Sequence, residues 1–129
     1  MDVTPLVKEG AQIIQGYADG HFRISGQVYD SAVLVFQEKS VAWEIGESAA
    51  GDVKALSEKD FAPLLGVSEA IDVVLLGTGK TLVFPDPALK KALKAQGLNI
   101  EVMDSGAACR TYNVLMAEDR RVVAALLPF

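Results

Sequence analysis

Ile71-Asp72-Val73-Val74-Leu75-Leu76-Gly77-Thr78-Gly79 decides the fold class. Ile71 to Leu76 is apolar apart from Asp72 near its start, which reads as a buried strand, and the two glycines after it read as a tight turn. A strand covered on both faces belongs to a sheet with helices packed against it, so helices and strands should alternate around it. Upstream, Ser57 caps a helix whose first turn carries Glu58 and Asp60, suited to the positive end of the dipole; it ends near Leu65, at Gly66. Downstream, Thr81 to Phe84 is a short extended segment closed by Pro85. Asp86 caps a second helix opened by Pro87, where the missing N–H costs little, and Gly97 ends it. Leu89, Ala92, Leu93 and Gln96 share one face of that helix, and Lys90, Lys91 and Lys94 form its solvated face. Leu98 to Met103 reads as a strand. Asp104-Ser105-Gly106 starts a third helix reaching about Glu118, and Val122 to Leu127 is a continuously apolar strand, central or covered on both faces.

The first half is rich in strands. Ala11 to Gln15 and His21 to Ile24 are separated by a turn at Asp19-Gly20, and Gly26 to Tyr29 continues or bends the second strand. Ser31 to Phe36 reads as a buried strand, Val41 to Ile45 as a strand with one wet face, and Glu47 to Asp52 as a loop. The whole pattern is α/β: a mixed, partly parallel sheet carrying helices, with an added β-layer from the N-terminal half. Residues 1–129 form one domain without linker or repeat. A chain of this length buries roughly two-thirds of its unfolded surface, so it needs no metal or disulfide staple.

Composition excludes several functions. Net charge is -5, against a phosphate-driven nucleic-acid role and against a polybasic membrane anchor. The single cysteine, Cys109, excludes an internal disulfide and multi-cysteine metal sites, and fits a reducing, cytoplasmic setting. Met1-Asp2-Val3-Thr4-Pro5 lacks the pattern of a signal peptide, and no apolar run is long enough for a transmembrane helix. The lone His21 stands near Asp19, with no second histidine for a His-rich metal site and no nucleophile-elbow signature for a triad. No metal or cofactor is expected.

Two segments carry the candidate site. Gly77-Thr78-Gly79 ends a buried strand, at the edge where α/β proteins bind ligands. It lacks the third glycine of a dinucleotide fingerprint and the spacing of a phosphate-cradling loop, so a structural turn competes with a ligand-facing one. The second segment is Asp104-Ser105-Gly106-Ala107-Ala108-Cys109-Arg110-Thr111-Tyr112-Asn113. Small residues at a helix start leave N–H groups open to an anion; Arg110 assists and Asn113 follows one turn later. Cys109 falls in the first turns, where the dipole lowers a thiol pKa. Against this, small residues also serve close helix–sheet packing, Asp104 or Ser105 also serves as a plain cap, and a buried cysteine behaves as a small hydrophobe. Glu118-Asp119-Arg120-Arg121 reads as a solvated turn, or as a contribution with Arg110 to a partner surface.

Taken in order, Ile13-x-x-x-Tyr17, Gly20-x-Phe22-x-Ile24-x-Gly26, Leu76-Gly77-Thr78-Gly79, Gly106-Ala107-Ala108-Cys109-Arg110-Thr111-Tyr112-Asn113-Val114-Leu115 and Arg121 before the apolar tail resemble the uncharacterised Mth-domain family. That family includes the third assembly factor of mitochondrial complex I and the adipogenesis-associated Mth-domain-containing protein. The resemblance runs from about Ile13 to Pro128, with Ser105 where many relatives carry threonine. It implies a three-layer fold around a mixed central sheet and no established catalytic residues; with no mitochondrial transit peptide evident, the chain is expected to be a bacterial member. It further implies protein partners of respiratory-complex or of export and membrane-insertion type, with peripheral membrane association through them. The expected function is a non-enzymatic binding or assembly module. The alternative is a small-molecule or anion-binding protein, an enzyme included. Both would use an edge formed by Gly77, Thr78, Gly79, Ser105, Gly106, Cys109, Arg110 and Asn113. The oligomeric state is not encoded in any motif.

Overall fold

The computed structural model describes residues 11–45 and 52–129. The expected loop from Glu47 and the N-terminal stretch Met1–Pro5 lie outside the described residues, Asp52 excepted.

Two tight hairpins build the small sheet. Strands β1 (Ile14–Ala18), β2 (His21–Ile24) and β3 (Gln27–Tyr29) pair antiparallel in that order. The register leaves two-residue turns, Asp19-Gly20 and Ser25-Gly26, with all four residues at positive φ. That backbone matches the right-handed strand twist, and glycine adopts it without steric cost. Gly26 therefore closes a turn, and Gln27–Tyr29 is a strand of its own. β1 starts later than the sequence indicates, with a register shift between Ile14 and Gly16.

The central sheet has five strands. β4 (Val33–Val35), β5 (Ser40–Ala42), β6 (Val73–Gly77), β7 (Ile100–Met103) and β8 (Val122–Leu126) lie in the order β5-β4-β8-β6-β7. β6 is parallel to β7 and β8, whereas β4 is antiparallel to β8 and β5. The sheet is mixed, as the sequence pattern implies, and β8 is its middle strand. Thr81 to Phe84 joins no strand, and β5 stops at Ala42 rather than Ile45.

Helix α2 (Pro87–Ala95) joins β6 to β7, and α3 (Ser105–Ala117) joins β7 to β8. Because β7 and β8 flank β6 on opposite sides, crossovers of one hand place the two helices on opposite faces. The packing follows. Leu89 and Leu93 of α2 meet Val74, Leu76, Val123 and Ala125 on one face, with Trp43, Phe61 and Leu64. Ala108, Cys109, Tyr112 and Met116 of α3 meet Val73, Leu75, Ala124 and Leu126 on the other, together with Ile14, Phe22 and Ile24 of the small sheet. Three layers result, and every residue of β4, β6 and β8 is buried.

The helix expected after Ser57 is broken in two. A 3-10 turn at Glu58–Phe61 precedes a single α turn, α1 (Ala62–Leu65). Pro63 has no N–H to return to Lys59, which removes an α-helical hydrogen bond from the segment. Asp60 still reaches back to accept the Ser57 N–H at 2.8 Å.

At the start of β6 and β8, Asp72 and Arg121 form a two-part clamp. Arg121 Nη2 lies 2.8 Å from Asp72 Oδ1, and the Arg121 N–H donates to Oδ2 at 3.0 Å. These bonds hold the Asp72 carboxyl below the ordinary value of 3.8. The stabilisation is therefore complete above the unfolded value and is lost as pH falls through the lower folded one. We expect Asp72→Asn to lower urea stability slightly at neutral pH, the pair being exposed. The difference from wild type should shrink to nothing in acid; a difference that does not change with pH would contradict the clamp.

Candidate functional site

Both candidate segments meet at the carboxyl ends of β6 and β8, and the meeting point is buried. Ser105 is fully buried. Its Oγ accepts the Gly79 N–H at 2.8 Å and donates to the Leu127 carbonyl at 2.7 Å, while its N–H donates to the Gly79 carbonyl at 2.9 Å. The Thr78 N–H donates to Met103 O at 2.9 Å, and the Leu127 N–H to Gly77 O at 3.0 Å. The first residue of α3 thereby ties together the ends of β6, β7 and β8. In open α/β sheets the crevice where strand order reverses is the usual ligand position. Here the Ser105 hydroxyl bridges the chain leaving β6 to the chain leaving β8.

Gly77 is required by this closeness. A Cβ there would stand 2.9 Å from both Cα and Oγ of Ser105 and 3.0 Å from Leu126 Cδ2. Thr78 turns the chain outward, its Oγ1 donating to Thr81 O at 2.6 Å and accepting the Val83 N–H at 3.1 Å.

The anion position at the helix start is occupied from within. Asp104 is the cap, its Oδ1 accepting the Ala107 N–H at 2.8 Å, and the Ala108 N–H returns to Asp104 O at 2.9 Å. A carboxylate of the chain itself sits where an external anion would be held.

Further along α3, the predicted residues face β1. Arg110 is exposed and donates to the Tyr17 hydroxyl at 2.6 Å. Tyr17 Oη would lie 3.0 Å from a Cβ on Gly106, so the small residue makes room for that ring. Asn113 acts as a stand-in for a strand backbone, accepting the Ile14 N–H at 3.0 Å and donating to Ile14 O at 2.8 Å. Cys109 points into the core. Burial pushes its thiol up to about 12, outweighing the lowering by Arg110, while Asp104 adds to the rise. The dipole expectation for a lowered thiol pKa is thus overturned by desolvation.

The eight residues do not converge on one cavity. Gly77, Thr78, Gly79 and Ser105 form the junction; Gly106, Arg110 and Asn113 form the seam to β1; Cys109 belongs to the core. Arg120 and Arg121 lie beyond the far end of α3, with Arg121 engaged by Asp72, so they share no surface with Arg110. A cleft of about 260 Å³ sits at the opposite, amino ends of β6 and β8, lined by Phe36, Lys39, Val67, Ile71, Arg121 and Val122 among others. Sequence reading missed it, because its walls come from three separated segments. It also missed Tyr112, whose buried hydroxyl is shared between the carbonyls of Gln12 (3.0 Å) and Phe36 (3.2 Å) and whose pKa burial raises. Phe129 was missed as well: its carbonyl accepts the Gly20 N–H and its ring packs 5.4 Å from that of Tyr17. Only the tyrosine in Ile13-x-x-x-Tyr17 signalled this corner.

Comparison with known proteins agrees with this architecture. The family described as "Protein of unknown function (DUF498/DUF598)" matches residues 14–127. The chain belongs to it. Among DUF498/DUF598 relatives, an uncharacterized protein of Rhodobacter capsulatus is 35% identical over 92% of this chain and 86% of its own length. NADH dehydrogenase (ubiquinone) 1 alpha subcomplex assembly factor 3 of Xenopus tropicalis is 29% identical over 98% of this chain and 67% of its own. Its Bos taurus counterpart is 27% identical over 92% of this chain, which spans only 61% of that protein. A crystal structure from Bordetella parapertussis matches with a TM-score of 0.78 at 33% identity, covering 93% of this chain and 98% of that one. A Mth938-like domain from Bordetella pertussis matches with a TM-score of 0.75 at 26% identity, over 99% and 92% of the two chains. The resemblance read from the sequence is therefore correct, and so is the fold it implies.

Three outcomes test this geometry. Ser105→Ala strips the Gly79 N–H and the Leu127 carbonyl of a buried partner and should cost about 1–3 kcal/mol in urea unfolding. Gly77→Ala should be at least as damaging, because one colliding atom is backbone. Cys109 should react with a thiol reagent orders of magnitude more slowly in native buffer than in denaturant; equal rates would place the thiol at the surface.

Proposed function

We propose that this protein is a non-enzymatic assembly module that acts on respiratory complex I through protein partners. The observation that carries the reading is the alignment of nearly the whole chain, 92–98% of it, with proteins named as complex I assembly factors. The described structure is compatible with it. The polar groups at the carboxyl edge of the central sheet are largely spent on one another, which leaves side chains such as Arg110 to meet a partner. Arg110 is exposed on α3 and held in place by Tyr17, which lowers the entropy cost of presenting a guanidinium to a partner carboxylate or carbonyl. The alternative of a bound small anion draws no support here, because Asp104 already caps the α3 N-terminus.

The test is affinity purification of the tagged chain from its own cells, with mass spectrometry of what accompanies it. Subunits of respiratory complex I should be enriched and should fall by roughly tenfold on Arg110→Ala, the scale of a lost interfacial charge-assisted hydrogen bond. The far-ultraviolet circular dichroism of the variant should stay that of wild type. Enrichment of export or membrane-insertion subunits instead would replace the respiratory partner, and absence of both would overturn the assembly reading.

A further inference from the structure

The chain is acidic overall, yet its charge is unevenly spread. Between Val73 and Ile100 stand Lys80, Lys90, Lys91 and Lys94 against one carboxylate, Asp86, giving a stretch of net charge +3 in a chain of -5. Asp86 is spent as the cap of α2, accepting the Ala88 N–H at 2.9 Å. All four lysines are exposed, and among the described residues none has a carboxylate partner. Leu89 and Leu93 of α2 are buried on the sheet, and Lys90, Lys91 and Lys94 run round the exposed side of the helix, Lys91 directly opposite and Lys90 on the flank.

The loop feeding this helix carries exposed apolar side chains. Phe84 is 67% exposed and Leu82 50%, while Val83 between them is half-buried and Pro85 is buried. The loop is not loose at its base, because Thr78 Oγ1 bonds both Thr81 O and the Val83 N–H. Leu82 and Phe84 are therefore held outward by anchors on either side. An aromatic and a leucine projecting from a fixed loop beside unpaired lysines match the pattern of an interfacial membrane contact: apolar tips enter the acyl boundary and ammonium groups meet anionic headgroups.

We infer that the segment Lys80–Lys94 docks this protein directly on an anionic lipid bilayer, with Leu82 and Phe84 as the inserted tips and Lys80, Lys90, Lys91 and Lys94 on the headgroups. The occupant is argued from charge. The -5 chain as a whole is repelled by such a surface, so a local excess of unpaired cations beside the apolar tips fixes which side faces it. This inference goes beyond the protein-partner reading and does not depend on it.

Co-sedimentation of the full chain with vesicles tests it. Vesicles of equal parts phosphatidylglycerol and phosphatidylcholine should bind the protein, and phosphatidylcholine alone should bind it far more weakly. Added salt should release it by screening. Lys90→Gln, Lys91→Gln and Lys94→Gln together should lower partitioning by on the order of a hundredfold, at roughly fivefold per lysine. Leu82→Ser with Phe84→Ser should abolish binding while circular dichroism stays unchanged, these side chains being exposed. Equal binding to both vesicle types, no binding to either, or wild-type binding by the variants would overturn the proposal. If the variants lost a co-purifying acidic protein but vesicles were never bound, the surface would be a protein interface and the lipid assignment wrong.

Discussion

Strand β8 is hydrogen-bonded along both edges and buried on both faces, and the rest of the fold is arranged around that requirement. It pairs with β4 from the first half of the chain and with β6 from the second, so it alone joins the two halves into one sheet. Its sequence meets the demand. Val122 and Val123 fill space on opposite faces, and Ala124 and Ala125 are small enough for the layers above and below to come close. Because β8 follows the other four central strands in sequence, the sheet closes only when residues 122–126 are in place. Many of its pairings join distant positions, such as Val33 with Leu126, at a corresponding cost in loop-closure entropy.

The Ser105 junction follows from the same constraint. β6 and β8 are parallel neighbours, and α3 begins across their carboxyl ends. Backbone polar groups buried there must be met by a ligand, by water or by the protein. Here one hydroxyl satisfies a donor from Gly79 and an acceptor from Leu127, and the absence of a side chain at Gly77 lets α3 begin close enough to deliver it. The edge that serves ligands in many α/β proteins becomes a structural lock. The side chains that project from this edge are Arg110 on α3 and those of the loop after Thr78.

Much of this was legible in the residues. The buried strands, Asp86 and Pro87 at the start of α2, Gly97 at its end, and the Asp104 cap of α3 follow from local stereochemistry and hydrophobic patterning. The candidate site was legible only in part. Gly77 and Ser105 stand out because small residues at a strand end and a helix start mark a close approach, but the same signal serves a ligand or a neighbouring helix. Asn113, Tyr112 and Tyr17 act across about a hundred residues of chain, and no local pattern assigns partners at that separation. For Cys109 the sequence offered both a helix-start thiolate and a buried small hydrophobe, and the orientation of α3, which buries the sulfur, decides for the second.

By itself the sequence determined the fold class, the order of nearly all its elements and the exclusion of an internal disulfide and of metal sites built from several cysteines of one chain, because these depend on composition and on periodicities of two and 3.6 residues. It also carried the family resemblance, through the order and spacing of short motifs. Only the tertiary structure decided what ties the carboxyl ends of β6 and β8 together, which face of α3 meets the small sheet, and where Lys80, Lys90, Lys91 and Lys94 and the exposed Leu82 and Phe84 lie. Those outcomes depend on which distant segments come within hydrogen-bonding reach, and that is set by the register of the sheet and the side on which each helix crosses it.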